Sequence, residues 1–265
     1  MNPWVALLFL WLFAAAMMTA GWQWQRRHTN TGIVDVLWAA GLGGGAVWLA
    51  IVGEGAIAPR VLLAACGGLW GARLARHLWR RVRHAAEDGR YAQMRAHWQD
   101  DQRKLFAFFQ FQAALIVLFA LPFVAVARNP AQSPGWLFAG AAIWLVSVLG
   151  ESLADRQLAR FRARPANHGK TFRAGLWRWS RHPNYFFEWL HWFAYVCVAV
   201  DSPIGWLAWS GPLLMYVFLR WISGIPWTEA QALRTRGDDY RAYQRDTPML
   251  FPWFPRHSRK TRSKA

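Results

Sequence analysis

Acidic residues are scarce in this sequence. Its 265 residues hold 14 Asp and Glu against 31 Lys and Arg, a formal charge of +17. Cysteine is nearly absent, with only Cys66 and Cys197. Two isolated cysteines supply neither a disulfide framework nor a metal-ligand spacing, which excludes a stapled secreted fold and a zinc site. There is no P-loop, no nucleophile elbow and no internal repeat, which removes the common phosphate-cradle and serine-hydrolase classes. No basic segment precedes the first apolar run; its basic residues follow it, so the run reads as a retained helix and not a cleaved leader.

What is present is apolar. Hydrophobic residues make up 55% of the chain, including 20 tryptophans. Apolar runs recur at 3–22, 33–53, 59–79, 105–127, 135–153, 184–200 and 205–222. Each approaches the ~20 residues a helix needs to cross ~30 Å of hydrocarbon. Backbone polar groups find no water there, so helices are expected. The reading is all-α: a polytopic membrane helix bundle with seven transmembrane helices. One membrane domain covers residues 1–255, and a basic disordered tail follows at 256–265.

The charge is segregated. Lys and Arg concentrate after the first run, between Arg73 and Lys104, between Arg156 and Arg181, and from Arg220 onward. The alternate connections hold only Arg60 and Arg128. The positive-inside rule then puts the amino terminus outside and the carboxyl terminus in the cytoplasm, an integral protein of a bacterial inner membrane. Short basic segments between spans meet lipid phosphates, so membrane lipids are expected partners and nucleic acid is not. No obligate protein partner is evident.

"GLGGGA" at 41–46 fits a loose dinucleotide fingerprint, but it lies inside an apolar run and not between a strand and a helix. Gly41 and Gly45, like Gly67 and Gly71, form small-xxx-small pairs that let membrane helices approach closely. Packing between the second and third runs is the expectation.

Four carboxylates lie toward the same ends of their runs: Asp35, Glu151, Asp155 and Glu188. Ionisable groups at membrane depth are costly and mark function by default. The segment "RWSRHPNYFFEWLHW" at 178–192 is the most informative. Pro183 suits the first helical turn, where its missing N–H costs nothing. Free backbone donors at that helix end attract an anion, and Arg178, Arg181 and His182 add positive charge. Asn184, Glu188 and His191 follow at spacings of four and three on one helix face. Asp155 and Arg162 likewise share a face. Beyond the last run, Pro226 opens a helix, Gly237 closes it, and Asp238 starts a second one bearing Tyr240 and Tyr243.

"GLWRWSRHPNYFFEW", the later E-x(3)-L-x(3)-G-x-x-Y-x-x-Y pattern and "FPWFP" resemble the steroid 5-alpha-reductase family. Together with "VDVLW", "EDGRY" and "ADRQL", they look most like its bacterial membrane-protein group. The likeness runs from about the second run to Pro255. It implies a seven-helix fold with a cytoplasmic NADPH pocket. The family's Asn and Glu at the start of the sixth helix fall on Asn184 and Glu188. Its Asp and Arg after the fifth helix fall on Asp155 and Arg162. Arg173, Arg178 and Arg181 are candidates in the loop between, with His182 and Tyr185 beside them, and Glu229 and Tyr240 beyond the seventh helix. The implied chemistry is hydride transfer to the conjugated C=C of a lipid-soluble enone, steroid-like or isoprenoid-like. The family polarises the carbonyl with a Glu on the second helix and a Tyr on the third. This chain departs from that: the second run offers Asp35, and the third has no tyrosine, Tyr91 lying in the connection after it.

The Arg-His-Pro-x-Tyr element also occurs in S-adenosylmethionine-dependent lipid or isoprenylcysteine-type methyltransferases. A dinucleotide needs several phosphate contacts, whereas S-adenosylmethionine has no phosphate. Eight basic residues between Arg156 and Arg181 favour the dinucleotide.

Overall fold

The computed structural model describes residues 1–131 and 133–255; the expected basic tail at 256–265 lies outside the described residues. Every regular element among the described residues is helical. The elements are α1 (Pro3–His28), α2 (Ile33–Val52), α3 (Ile57–His84), α4 (Gly89–His97), α5 (Gln102–Phe119), α6 (Leu121–Ala127), α7 (Pro134–Arg162), α8 (Pro183–Val198), α9 (Ser210–Val217) and α10 (Ile225–Asp246).

Local chemistry sets most of the boundaries. Asn2 caps α1 by accepting from the Trp4 amide at 2.9 Å, and α1 ends where Thr29 turns left-handed. Asp88 and Asp101 cap α4 and α5 in the same way. Pro122 removes a backbone donor and separates α5 from α6. Gly237, at φ 50° and ψ −124°, breaks α10 into two helices where the sequence places the stop.

Each of the seven apolar runs falls on helix. Four helical stretches are long and apolar enough to cross a membrane: Pro3–His28, Ile33–Val52, Gln102–Ala127 and Pro134–Arg162. The others fall short for visible reasons. α3 carries Arg60 and Arg73 inside its apolar part, and α8 has only 16 residues. The last run is divided into a 3-10 turn at Gly205–Trp209, α9 and a π turn at Phe218–Ile222.

The chain forms two compact units. The first holds Met1–Ala142 with Phe193–Gly211, and the second holds Ile143–Trp192 with the residues from Pro212. In the first unit α2 and α3 are antiparallel and unusually close. A Cβ built on Gly71 would lie 2.6 Å from the Gly43 Cα, and one on Gly67 would lie 2.4 Å from the Ala46 Cβ. The expectation that both small-residue pairs serve this contact is corrected in one respect. Gly67 and Gly71 face α2, but Gly41 faces Met17 of α1 and Ile116 of α5, and Gly45 faces Leu10 of α1. The glycines of α2 therefore serve three neighbours from different sides of the helix. The Arg60 guanidinium, costly inside α3, donates to the Ala50 and Ile51 carbonyls at 2.6 and 2.8 Å and completes the end of α2.

In the second unit α7 and α8 meet where the Phe187 ring covers Gly150, 2.4 Å from a Cβ built there. The connection between them is held by side chains. Gln157 accepts from the Leu176 amide at 3.0 Å, and the Trp177 indole donates to the Ala154 carbonyl at 3.0 Å.

Replacing Gly71 with Leu is expected to destabilise the protein by at least about 3 kcal/mol, because backbone and not a movable side chain opposes it. Gly44 has nothing within 4 Å, and Gly44→Ala is expected to be neutral or stabilising by about 0.5–1 kcal/mol. Unfolding of the purified protein in detergent checks both; equal effects would show that the α2–α3 approach does not limit stability.

Candidate functional site

Two clusters of polar side chains stand out, one in each unit. In the first unit Asp35 occupies the first turn of α2. Its Oδ1 accepts from the Tyr91 hydroxyl at 2.6 Å, and its Oδ2 accepts from Arg90 Nη2 at 3.2 Å. Arg90 Nε reaches Asp88 Oδ1 at 3.3 Å, and Arg81 pairs with the other Asp88 oxygen. Both Asp35 oxygens are therefore engaged as acceptors. The contact fixes the direction of the Tyr91 hydroxyl. Burial pushes the Tyr91 phenol well above its usual value, and the Asp35 charge adds to this, so the hydroxyl keeps its proton. Burial works against the Arg90 charge, but Asp35 and its neighbours outweigh it.

The segment that carries these donors is pinned to the start of α2. Glu87 accepts from the Thr31 amide at 2.6 Å, and the Asn30 amide donates to the Val82 carbonyl at 3.3 Å. Arg95 bridges Glu87, Asp100 and the Thr29 carbonyl. "VDVLW" and "EDGRY", more than 50 residues apart, are thus two halves of one cluster. A small open cavity bordered by Asn30, Asp35, Arg81 and Asp88 adjoins it.

In the second unit the structure brings Asp155 and Asn184 together, with Asn184 Nδ2 donating to Asp155 Oδ1 at 3.2 Å. Asn184 Oδ1 is buried and accepts no hydrogen bond from any described residue. Glu188 lies one turn further along α8 and is half-buried, and Arg162 is exposed at the end of α7. Arg178 is exposed over the Trp179 ring. Arg173 ion-pairs with Asp239, which also accepts from the Thr171 amide at 2.7 Å.

The remaining candidates form a separate knot around Glu229. Its Oε1 accepts from Arg181 Nε at 2.7 Å and from His182 Nε2 at 3.2 Å, with the Tyr240 hydroxyl at 3.4 Å. Its Oε2 accepts from Gln244 at 2.8 Å. Arg181 also donates to the Gln244 and Thr247 carbonyls at 3.0 and 2.7 Å. Burial lowers the His182 pKa below its ordinary value, so at neutral pH the ring is neutral and Nε2 carries the donated hydrogen. Tyr185 stacks on that ring and shares a 3.1 Å hydrogen bond with Thr228. Burial would raise the Glu229 pKa, but His182 and Arg181 overcome it and hold the carboxyl at about 2. The expectation of Arg181 as an anion contact meets a guanidinium whose Nε and Nη1 are both spent inside the protein. His182, Glu229 and Tyr240 belong to the same scaffold, which ties the start of α8 to α10.

Residues 21–247 match the family described as "Protein of unknown function (DUF1295)". The chain belongs to the DUF1295 family. An uncharacterised protein of Schizosaccharomyces pombe is 28% identical over 243 residues, covering 79% of this chain and 70% of its own. No solved structure matches. The DUF1295 region contains both clusters and the Glu229 knot in full.

Sequence reasoning placed Asp35 but not Arg90 and Tyr91 beside it. Their signal was the "EDGRY" string, whose position after α3 hid the contact. Gln244 had no signal beyond its place near the tyrosines.

The depressed pKa of Glu229 stabilises this DUF1295 protein by on the order of 3 kcal/mol above pH 4.5, and the contribution is lost as pH falls toward 2. Glu229→Ala leaves the Arg181 charge buried and is expected to cost about 3–5 kcal/mol at pH 7. Acid unfolding followed by circular dichroism should then depend less steeply on pH between 4.5 and 2 in the variant. Identical slopes would count against the assigned ionisation.

Proposed function

We propose that this chain is an NADPH-dependent membrane reductase acting on the conjugated C=C of a lipid-soluble enone. The observation that carries the reading is the 2.6 Å Tyr91–Asp35 contact. It supplies the acid–tyrosine pair that the resemblance to steroid 5-alpha-reductases implies, with the tyrosine arriving from α4 and not from the third apolar run. The seven-span topology, with the amino terminus outside a bacterial inner membrane, belongs to the same reading and is supported by the segregation of Lys and Arg.

The second unit fits a nicotinamide dinucleotide in its donor set. The orphaned Asn184 Oδ1 is an acceptor that a carboxamide N–H would satisfy. Exposed Arg162 and Arg178 suit phosphates. Asp155, Asn184 and Glu188 would hold the reactive end. Arg181, His182, Tyr185, Glu229 and Tyr240 would hold the start of α8 in place, and Arg173 does the same for the loop before it through Asp239. When bound, the reduced nicotinamide supplies a hydride, two electrons with one proton, to the β-carbon of the enone.

In the first unit the Tyr91 hydroxyl and the Arg90 guanidinium surround the Asp35 carboxylate. Arg90 Nη1 donates to no described residue, so it is an available cationic donor. Hydride addition to a bound enone would put the alkene electron pair on the carbonyl oxygen as an enolate. A fixed guanidinium and phenol stabilise that charge better than the neutral ketone. The enolate then takes a proton from water at the α-carbon. Asp35 keeps both donors aimed and cancels part of the cation's charge.

NADPH, NADH and S-adenosylmethionine titrated against the purified protein by thermal shift provide the first test. NADPH is expected to stabilise and S-adenosylmethionine to have no effect. Stabilisation by S-adenosylmethionine alone would replace the reductase reading with the methyltransferase one. Asn184→Ala is expected to weaken NADPH binding about 10-fold. Tyr91→Phe should leave it intact and lower NADPH oxidation with a responsive lipophilic enone about 100-fold in kcat.

A further inference from the structure

The exposed face of α3 changes character along its length. Ile57, Val61 and Leu69 are 71%, 61% and 62% exposed, and they follow an i, i+4 row that winds gradually around α3. Arg76, Arg80 and Arg83, all exposed, continue the face that Leu69 begins. The apolar part covers about 18 Å of helix, near the ~15 Å of one leaflet's hydrocarbon. The contacts of Gly67 with Ala46 and Gly71 with Gly43 set this apolar part alongside the body of α2, a membrane-crossing candidate. The basic part emerges level with the start of α2, where Asn30 meets Val82.

The three arginines are uncompensated. The acids of that end are already taken: Asp35 by Arg90, Asp88 by Arg81 and Arg90, and Glu87 and Asp100 by Arg95. Arg76, Arg80 and Arg83 ion-pair with no described residue, and Arg83 rests over the Trp79 ring at 5.5 Å. Trp79 in turn meets Trp24 of α1, whose neighbours Arg26 and Arg27 are also exposed and make no ion pair with described residues. Tryptophans and arginines at this level are the side chains that favour a headgroup boundary.

We propose that this face of α3 is a binding site for an anionic glycerophospholipid, with an acyl chain along Ile57, Val61 and Leu69 and the phosphate on Arg76, Arg80 and Arg83. An apolar stripe joined end to end with a cationic one matches that molecule in both parts. A phosphate alone would use only the second. Charge selects anionic over zwitterionic lipid, each uncompensated arginine near an anionic surface favouring it.

The test compares thermal unfolding of the full chain in phosphatidylcholine nanodiscs with and without phosphatidylglycerol, at fixed ionic strength. Phosphatidylglycerol is expected to raise Tm by about 5 °C. The triple variant Arg76→Gln, Arg80→Gln, Arg83→Gln should lose most of that difference. Native mass spectrometry should show at least one retained phosphatidylglycerol on the wild type and fewer on the variant. Equal Tm values in the two lipids, or a triple variant that keeps the full difference, would overturn the proposal. So would inorganic phosphate that stabilises the detergent-solubilised protein as much as the lipid does. If the triple variant does not fold, each single substitution should lose part of the shift, and three that lose none would also overturn it.

Discussion

A carboxylate in the first turn of an apolar helix is costly unless the protein itself supplies its donors. That constraint organises the first unit. Asp35 draws in Arg90 and Tyr91, and the chain between α3 and α4 is fastened over the start of α2 as a result. Removing the carboxylate would release the phenol and leave a guanidinium short of a partner, so Asp35 holds the connection after α3 in place.

The approach of α2 to α3 makes the arrangement possible. Glycines at 43, 67 and 71 let two backbones meet where any side chain would hold them apart. That closeness fixes the depth of α3 relative to α2. It brings Val82 and Asp88 to the level of Asn30 and Asp35, and it leaves the opposite face of α3 bare. The bare face carries apolar residues where the neighbouring helix is apolar and arginines where the first turn of α2 carries a carboxylate. Packing on one side of a helix thus decides what its other side presents to lipid.

The second unit solves a similar problem with a different carboxylate. Glu229 gathers donors from α10 and from the chain before α8, and Arg181 ties the same region to the carbonyls of residues 244 and 247. Arginines in a run look alike in a sequence, yet their uses here differ. Arg181 is consumed inside the protein, Arg173 is paired with Asp239, and Arg162 and Arg178 remain at the surface. A basic composition favours an anionic ligand, but only the tertiary structure shows that Arg181 and Arg173 are engaged by the protein's own acceptors.

Much of this protein was legible in its residues. Long apolar runs without water demand helices. Gly237 marks a helix end through local backbone geometry that needs no distant partner, whereas the break at Pro122 falls inside a run that reads as continuous. Asn184 and Asp155 were picked out because polar groups at such positions are costly. Four conclusions needed the tertiary structure. Tyr91 belongs with Asp35, the two glycine pairs serve different neighbours, Arg181 is a clamp, and Arg76, Arg80 and Arg83 lack acids. The physical reason is common to all four: packing contacts, hydrogen bonds and ion pairs act over about 3–4 Å in space, and sequence separation carries no measure of that distance.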